Sequence, residues 1–140
     1  MKKGFVFFLS MILLVLTGCG DKVALSGKVT YSDDGSPLPV GTVFFEKDTY
    51  LSRGQLTSMG TYNTGSLSEK DGIPPGTYRV YVCGAVRSIG VDKDGESINE
   101  SLIDEKFTNG ATTDLTVTVP TSSGKFDFQV DRYVPKPSKK

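Results

Sequence analysis

"DGIPPGTYRVYVCG", residues 71–84, decides how this chain is read. From Thr77 the residues alternate, with Tyr78, Val80 and Val82 on one side and Thr77, Arg79, Tyr81 and Cys83 on the other. Successive side chains of a strand leave on opposite faces, so this is a strand with one face for a core and one for water. Pro74 and Pro75 fix where it starts, because proline has no amide proton to give a sheet ladder.

The same pattern recurs on both sides. In "VALSGKVTY", residues 23–31, Val23, Leu25, Val29 and Tyr31 share a face with Gly27 in line, and "SDDGSPLP" then breaks the strand with turn residues. "VGTVFFE", residues 40–46, sets Val43 and Phe45 against Thr42, Phe44 and Glu46. "SRGQLTSMGTYNTG", residues 52–65, reads as two short strands around Gly60. "DLTVTV", residues 114–119, turns Leu115, Val117 and Val119 inward, and "FDFQV", residues 126–130, does so with Phe126, Phe128 and Val130. "ESLIDEKF", residues 100–107, fits a helical turn or a strand, and the pattern leaves strand order in 84–112 open. No stretch after residue 20 has the length and period of a helix. About seven half-buried strands over residues 23–134 predict one all-β domain, an antiparallel, Ig-like or prealbumin-like β-sandwich.

The N-terminus has a different character. Lys2 and Lys3 precede an apolar run, Phe5 to Leu16, in which Ser10 is the one polar residue. A dozen residues fall short of the roughly 20 a helix needs to cross a bilayer core, so the run reads as a secretory signal. The next residues, Leu16-Thr17-Gly18-Cys19, resemble the bacterial lipobox. That resemblance implies cleavage before Cys19 and a diacylglyceryl group on its sulfur. Buried acyl carbons contribute roughly 0.8 kcal/mol each, and stable anchoring needs more than one chain. The expected layout is a cleaved signal at 1–18, a lipidated N-terminus and linker at 19–22, the sandwich at 23–134, and a flexible basic tail "PKPSKK" at 135–140. Gly20 follows the cysteine where an aspartate would favour inner-membrane retention in enteric bacteria, which points to the outer membrane.

Composition narrows the chemistry. The chain has 16 basic and 16 acidic side chains and no histidine. Loss of Lys2 and Lys3 with the signal leaves a net charge of about −2. That balance, with no basic cluster outside the tail, argues against a nucleic-acid partner. Without histidine, Ser-His-Asp and Cys-His devices are excluded and common zinc sites lose their ligands. Cys83 has no disulfide partner once Cys19 carries lipid. "DKDGES", residues 92–97, lacks the ligand spacing of an EF-hand loop and reads as a hairpin tip turning at Asp94-Gly95. No cofactor, metal or catalytic residue is expected.

Several of these segments together resemble the transthyretin-like, carboxypeptidase-regulatory-like sandwiches, and more narrowly small lipoproteins of environmental bacteria. The features are Gly27 and Val29 on the opening strand, the turn Gly35 to Leu38, Gly60 and Tyr62, and Pro74 to Val80. Residues 25–83 carry the likeness, and Ser58 departs from it where many members place an aspartate. The resemblance implies a fold and no activity, since sandwiches host unrelated functions. The branch that hydrolyses a purine breakdown product uses histidines, absent here. Adhesin relatives form an intradomain isopeptide bond, but that bond needs apolar surroundings and alternation turns Lys28 and Asp127 toward solvent.

Two classes of function remain. The favoured one is a lipid-anchored, non-catalytic binding or structural module that meets an envelope protein or glycan. The other is an envelope hydrolase working with carboxylates alone, such as a glycosidase. Thr42, Glu46, Thr77, Arg79, Thr116, Thr118, Asp127 and Gln129 are outward residues suited to water, whereas Phe44 and Tyr81 are large aromatics on the same faces. Neighbouring exposed aromatics mark contact surfaces, so these two are the expected partner contacts. The competing expectation is that a loop such as 84–100 covers them.

Overall fold

The structure, a computed structural model, describes residues 22–65 and 71–137. The signal run, Cys19 and the last residues of the basic tail lie outside them. The described residues form nine strands: β1 Ser26–Tyr31, β2 Thr42–Lys47, β3 Tyr50–Gln55, β4 Thr61–Asn63, β5 Gly76–Cys83, β6 Val86–Val91, β7 Ser97–Ser101, β8 Thr116–Val119 and β9 Phe128–Val130. Four make an antiparallel sheet in the order β3-β2-β5-β8, and three make a second sheet in the order β4-β1-β9. The two enclose one core, an all-β sandwich of seven strands, and β6 and β7 pair separately as a hairpin.

Alternation positions the core as the sequence implied. Val43, Phe45, Tyr78, Val80, Val82, Val117 and Val119 line the inner face of the larger sheet, and Val29, Tyr31, Tyr62, Phe128 and Val130 come from the smaller one. The Tyr62 ring bridges the layers, 5.8 Å from Phe45 and 6.4 Å from Phe128. Its hydroxyl donates to the Phe126 carbonyl. Gly27 makes that possible: a Cβ there would lie 2.0 Å from the Phe126 oxygen and 2.6 Å from the Tyr62 hydroxyl.

Three details differ from the expected layout. β1 and β9 run parallel, Val29 opposite Phe128 and Tyr31 opposite Val130. Alternation assigns faces and carries no information on strand direction, and the long connection a parallel pair requires is here most of the domain. "ESLIDEKF" divides, its start ending β7 and Glu105–Thr108 forming a single 3-10 turn. Asp104 caps that turn by accepting from the Lys106 amide at 3.0 Å. Finally, residues 84–100 do not fold over the sheet. They form mostly the β6–β7 hairpin, turning at Asp92–Gly95, with all six residues of β6 exposed.

Candidate functional site

The outer face of the four-stranded sheet is a grid set by strand register. Phe44 on β2 lies opposite Arg53 on β3 and Tyr81 on β5, and Glu46 lies opposite Leu51 and Arg79. Thr42 and Cys83 form the next pair. Phe44 and Tyr81, separated by 37 positions in sequence, are therefore cross-strand neighbours. Their rings stack with centroids 5.4 Å apart and planes 13° from parallel. Both are half-buried, as are Thr42, Glu46 and Cys83.

A loop shields one side of this row. Ile103 and Phe107 are buried and pin the segment after β7 to the core. From there the chain crosses the outer face of β5 and is clamped to it. The Cys83 thiol donates to the Thr108 carbonyl at 3.6 Å, Arg79 Nη1 donates to the Gly110 carbonyl at 3.1 Å, and the Thr113 hydroxyl donates to the Val80 carbonyl at 2.6 Å. Gly110 is the point of closest approach, where a Cβ would come within 2.2 Å of a Glu46 carboxylate oxygen and 3.1 Å of the Tyr81 ring. The loop that reaches the aromatic pair is thus 108–111 rather than 84–100. The dipeptide Asn109-Gly110 was its one turn signal in the sequence.

Between loop and sheet lies a cleft of about 420 Å³ whose walls include Glu46, Arg79, Tyr81, Thr108 and Asn109. Its lining is mostly polar. Burial raises the Tyr81 phenol above its ordinary value, with the Glu46 carboxylate adding to the effect. Burial also raises the Cys83 thiol. A cysteine used as a nucleophile needs the opposite shift, so Cys83 behaves as a small covered residue holding the loop.

The other sequence candidates are dispersed. Asp127 accepts the backbone amide of Lys28 at 2.9 Å and is exposed, as alternation implied. Cys19 is outside the described residues. The sequence placed the tip of the β6–β7 hairpin at Asp94-Gly95 but did not single out its strands, where Val86, Ile89, Val91 and Ile98 are exposed.

Compared with known proteins, the chain matches no protein family and no curated protein. Among solved structures it is similar to the major pilin subunit of Bacillus cereus, with a TM-score of 0.47 and 9% identity over 79% of this chain. It is also similar to a 9R-lipoxygenase from Cyanothece, with a TM-score of 0.39 and 15% identity over 85% of this chain. The chain spans 30% and 18% of those two proteins. Likeness at this level carries nothing about function, and the sandwich stands on its own strands and register.

Proposed function

We propose that this chain is a membrane-anchored cell-envelope lipoprotein, held by lipid on Cys19 and placed at the outer membrane, whose sandwich is a non-catalytic binding module. In this reading the sandwich is of the transthyretin-like kind, and its working surface is the outer face of β3-β2-β5-β8, offered to an envelope protein or glycan. The observation that carries it is the Phe44–Tyr81 stack, set on the sheet face that alternation assigns to water. Aromatic side chains bring large contact area with little entropy to lose, which is why interfaces concentrate binding energy on them. The Leu16 to Cys19 motif behind a short apolar run supports the anchor. Against the hydrolase reading, a glycosidase needs two carboxyl groups about 5–9 Å apart. Among the described residues Glu46 is the one carboxylate in the wall of the cleft.

Two measurements test this. Mass spectrometry of membrane-extracted protein is expected to show an acylated peptide beginning at Cys19, and an unmodified Cys19 in a secreted form would remove the anchor. For the surface, envelopes are cross-linked with wild type and with a Phe44→Ala, Tyr81→Ala double variant, with folding checked by circular dichroism. Loss of cross-linked partner from a folded variant supports the surface, and full retention overturns it.

A further inference from the structure

The cleft beside the aromatic pair has a composition that selects among ligands. Glu46 and Arg79 are cross-strand neighbours of opposite charge, yet they do not form an ion pair. Arg79 turns to the Gly110 carbonyl, using one of five donor hydrogens. The Glu46 carboxylate is half-buried and has no hydrogen-bond partner among the described residues. Asn109 spends its side-chain oxygen on the Ala111 amide at 2.8 Å, which leaves its Nδ2 hydrogens without a partner among the described residues. The Tyr81 hydroxyl also has no partner among the described residues.

From this arrangement we propose that the cleft is a saccharide subsite holding one neutral sugar ring of a glycan. The inference rests on reading this sheet face as the working surface, and it names the partner's chemistry. An apolar ligand would strip water from Glu46 and Arg79 and return no hydrogen bond, which is costly for charged groups. A net anion meets Glu46, and a net cation meets Arg79. Vicinal hydroxyls of a sugar both donate and accept, so one ring satisfies carboxylate, guanidinium, amide and phenol together. The Tyr81 ring, which lines the cleft and is backed by Phe44, gives the apolar C–H face of the sugar a wall. A cleft of about 420 Å³ admits one ring with its hydration and leaves neighbouring rings on the open sheet face. Gly110 keeps it open, because any side chain there would enter the space beside Glu46 and Tyr81.

The test is an NMR titration of purified full-length protein with oligosaccharides of glucose and of N-acetylglucosamine. A dialanine peptide and inorganic phosphate serve as the zwitterionic and anionic alternatives. A saccharide is expected to shift the amide signals of Asn109, Gly110 and Ala111, with affinity rising with chain length. Glu46→Gln is expected to weaken binding about tenfold, the scale of one hydrogen bond to a charged group. Gly110→Ala, whose Cβ would displace the Glu46 carboxylate, is expected to weaken it at least as much in a variant shown to be folded by circular dichroism. No shift with either sugar series, shifts confined to other residues, or binding of dialanine or phosphate in place of sugar overturns the proposal. If sugars fail while the Phe44→Ala, Tyr81→Ala variant still loses its envelope partner, the saccharide is wrong and the working surface stands. If both fail, the surface itself is wrong.

Discussion

The Tyr62 hydroxyl is the place where one atom most directly ties sequence to stability. Tyr62 is 2% exposed, and its hydroxyl donates to the Phe126 carbonyl, joining β4 to the segment that leads into β9. That segment holds β1 through the Phe126 amide, which donates to the Ser26 carbonyl at 2.8 Å. Tyr62→Phe keeps the ring contacts with Phe45 and Phe128 and removes only the bond. A typical hydrogen bond contributes about 1 kcal/mol, and an acceptor left buried adds a further cost. The bond is part-buried, so water recovers part of that, and the expected loss is about 1–2 kcal/mol. For a domain of this size that is a fall in Tm of roughly 4–8 °C. Urea denaturation of both proteins gives the difference directly, with an unchanged slope if the unfolded state is unaffected. Gly27→Ala supplies the control, because its Cβ would press on the same carbonyl and the same hydroxyl. Once it has displaced them, Tyr62→Phe has little left to remove, so the double variant is expected to be less destabilised than the sum of the singles. A Tyr62→Phe loss below about 0.3 kcal/mol, or full additivity with Gly27→Ala, would refute the bond as a structural tie.

Other expectations follow from the same coordinates. Ser52 is fully buried on the inner face of β3 and its hydroxyl has no partner among the described residues, so Ser52→Ala is expected to leave urea stability equal or raise it by up to about 1 kcal/mol. Burial raises the phenols of Tyr31, Tyr62, Tyr78 and Tyr81 above their ordinary value of 10.0. Their unfolded forms therefore lose protons first, and stability, complete below pH 10, is expected to fall above it by up to about 1.4 kcal/mol per pH unit for each tyrosine, measured by alkaline unfolding. The Cys83 thiol, raised by burial and bonded to the Thr108 carbonyl, is expected to react with iodoacetamide more slowly than a free cysteine at every pH below 9. A rate equal to that of the free amino acid would show that the loop does not cover it.

Much of the fold was legible because a half-buried sheet writes its period into the sequence. Tyr78, Val80 and Val82 alternate without interruption, and so do Val117 with Val119 and Phe128 with Val130. Direction was not legible: the parallel pairing of β1 with β9 depends on contacts between the two ends of the domain. The tip of the β6–β7 hairpin was legible in Asp94-Gly95, but its strands escaped for a related reason. With all six residues of β6 exposed, burial imposes no alternation on it, and Val91 and Ile89 follow no inward face. The aromatic pair was readable as two exceptions to a polar face, since register then makes Phe44 and Tyr81 neighbours. The cleft was not, because its second wall is the backbone of Thr108 to Ala111. That segment has no period, and it is placed by Phe107, Cys83 and Arg79 acting from elsewhere in the chain.

Hydroxyl-radical footprinting of the protein in isolated native envelopes, compared with the purified protein, tests most directly where the module touches its partner. Phe44 and Tyr81 report on the outer sheet face, and Val86, Ile89 and Val91 on the hairpin. A working surface at the aromatic pair predicts that oxidation of Phe44 and Tyr81 falls in the envelope while the hairpin residues oxidise as before. Unchanged oxidation of Phe44 and Tyr81, with protection confined to Val86, Ile89 and Val91, would contradict it.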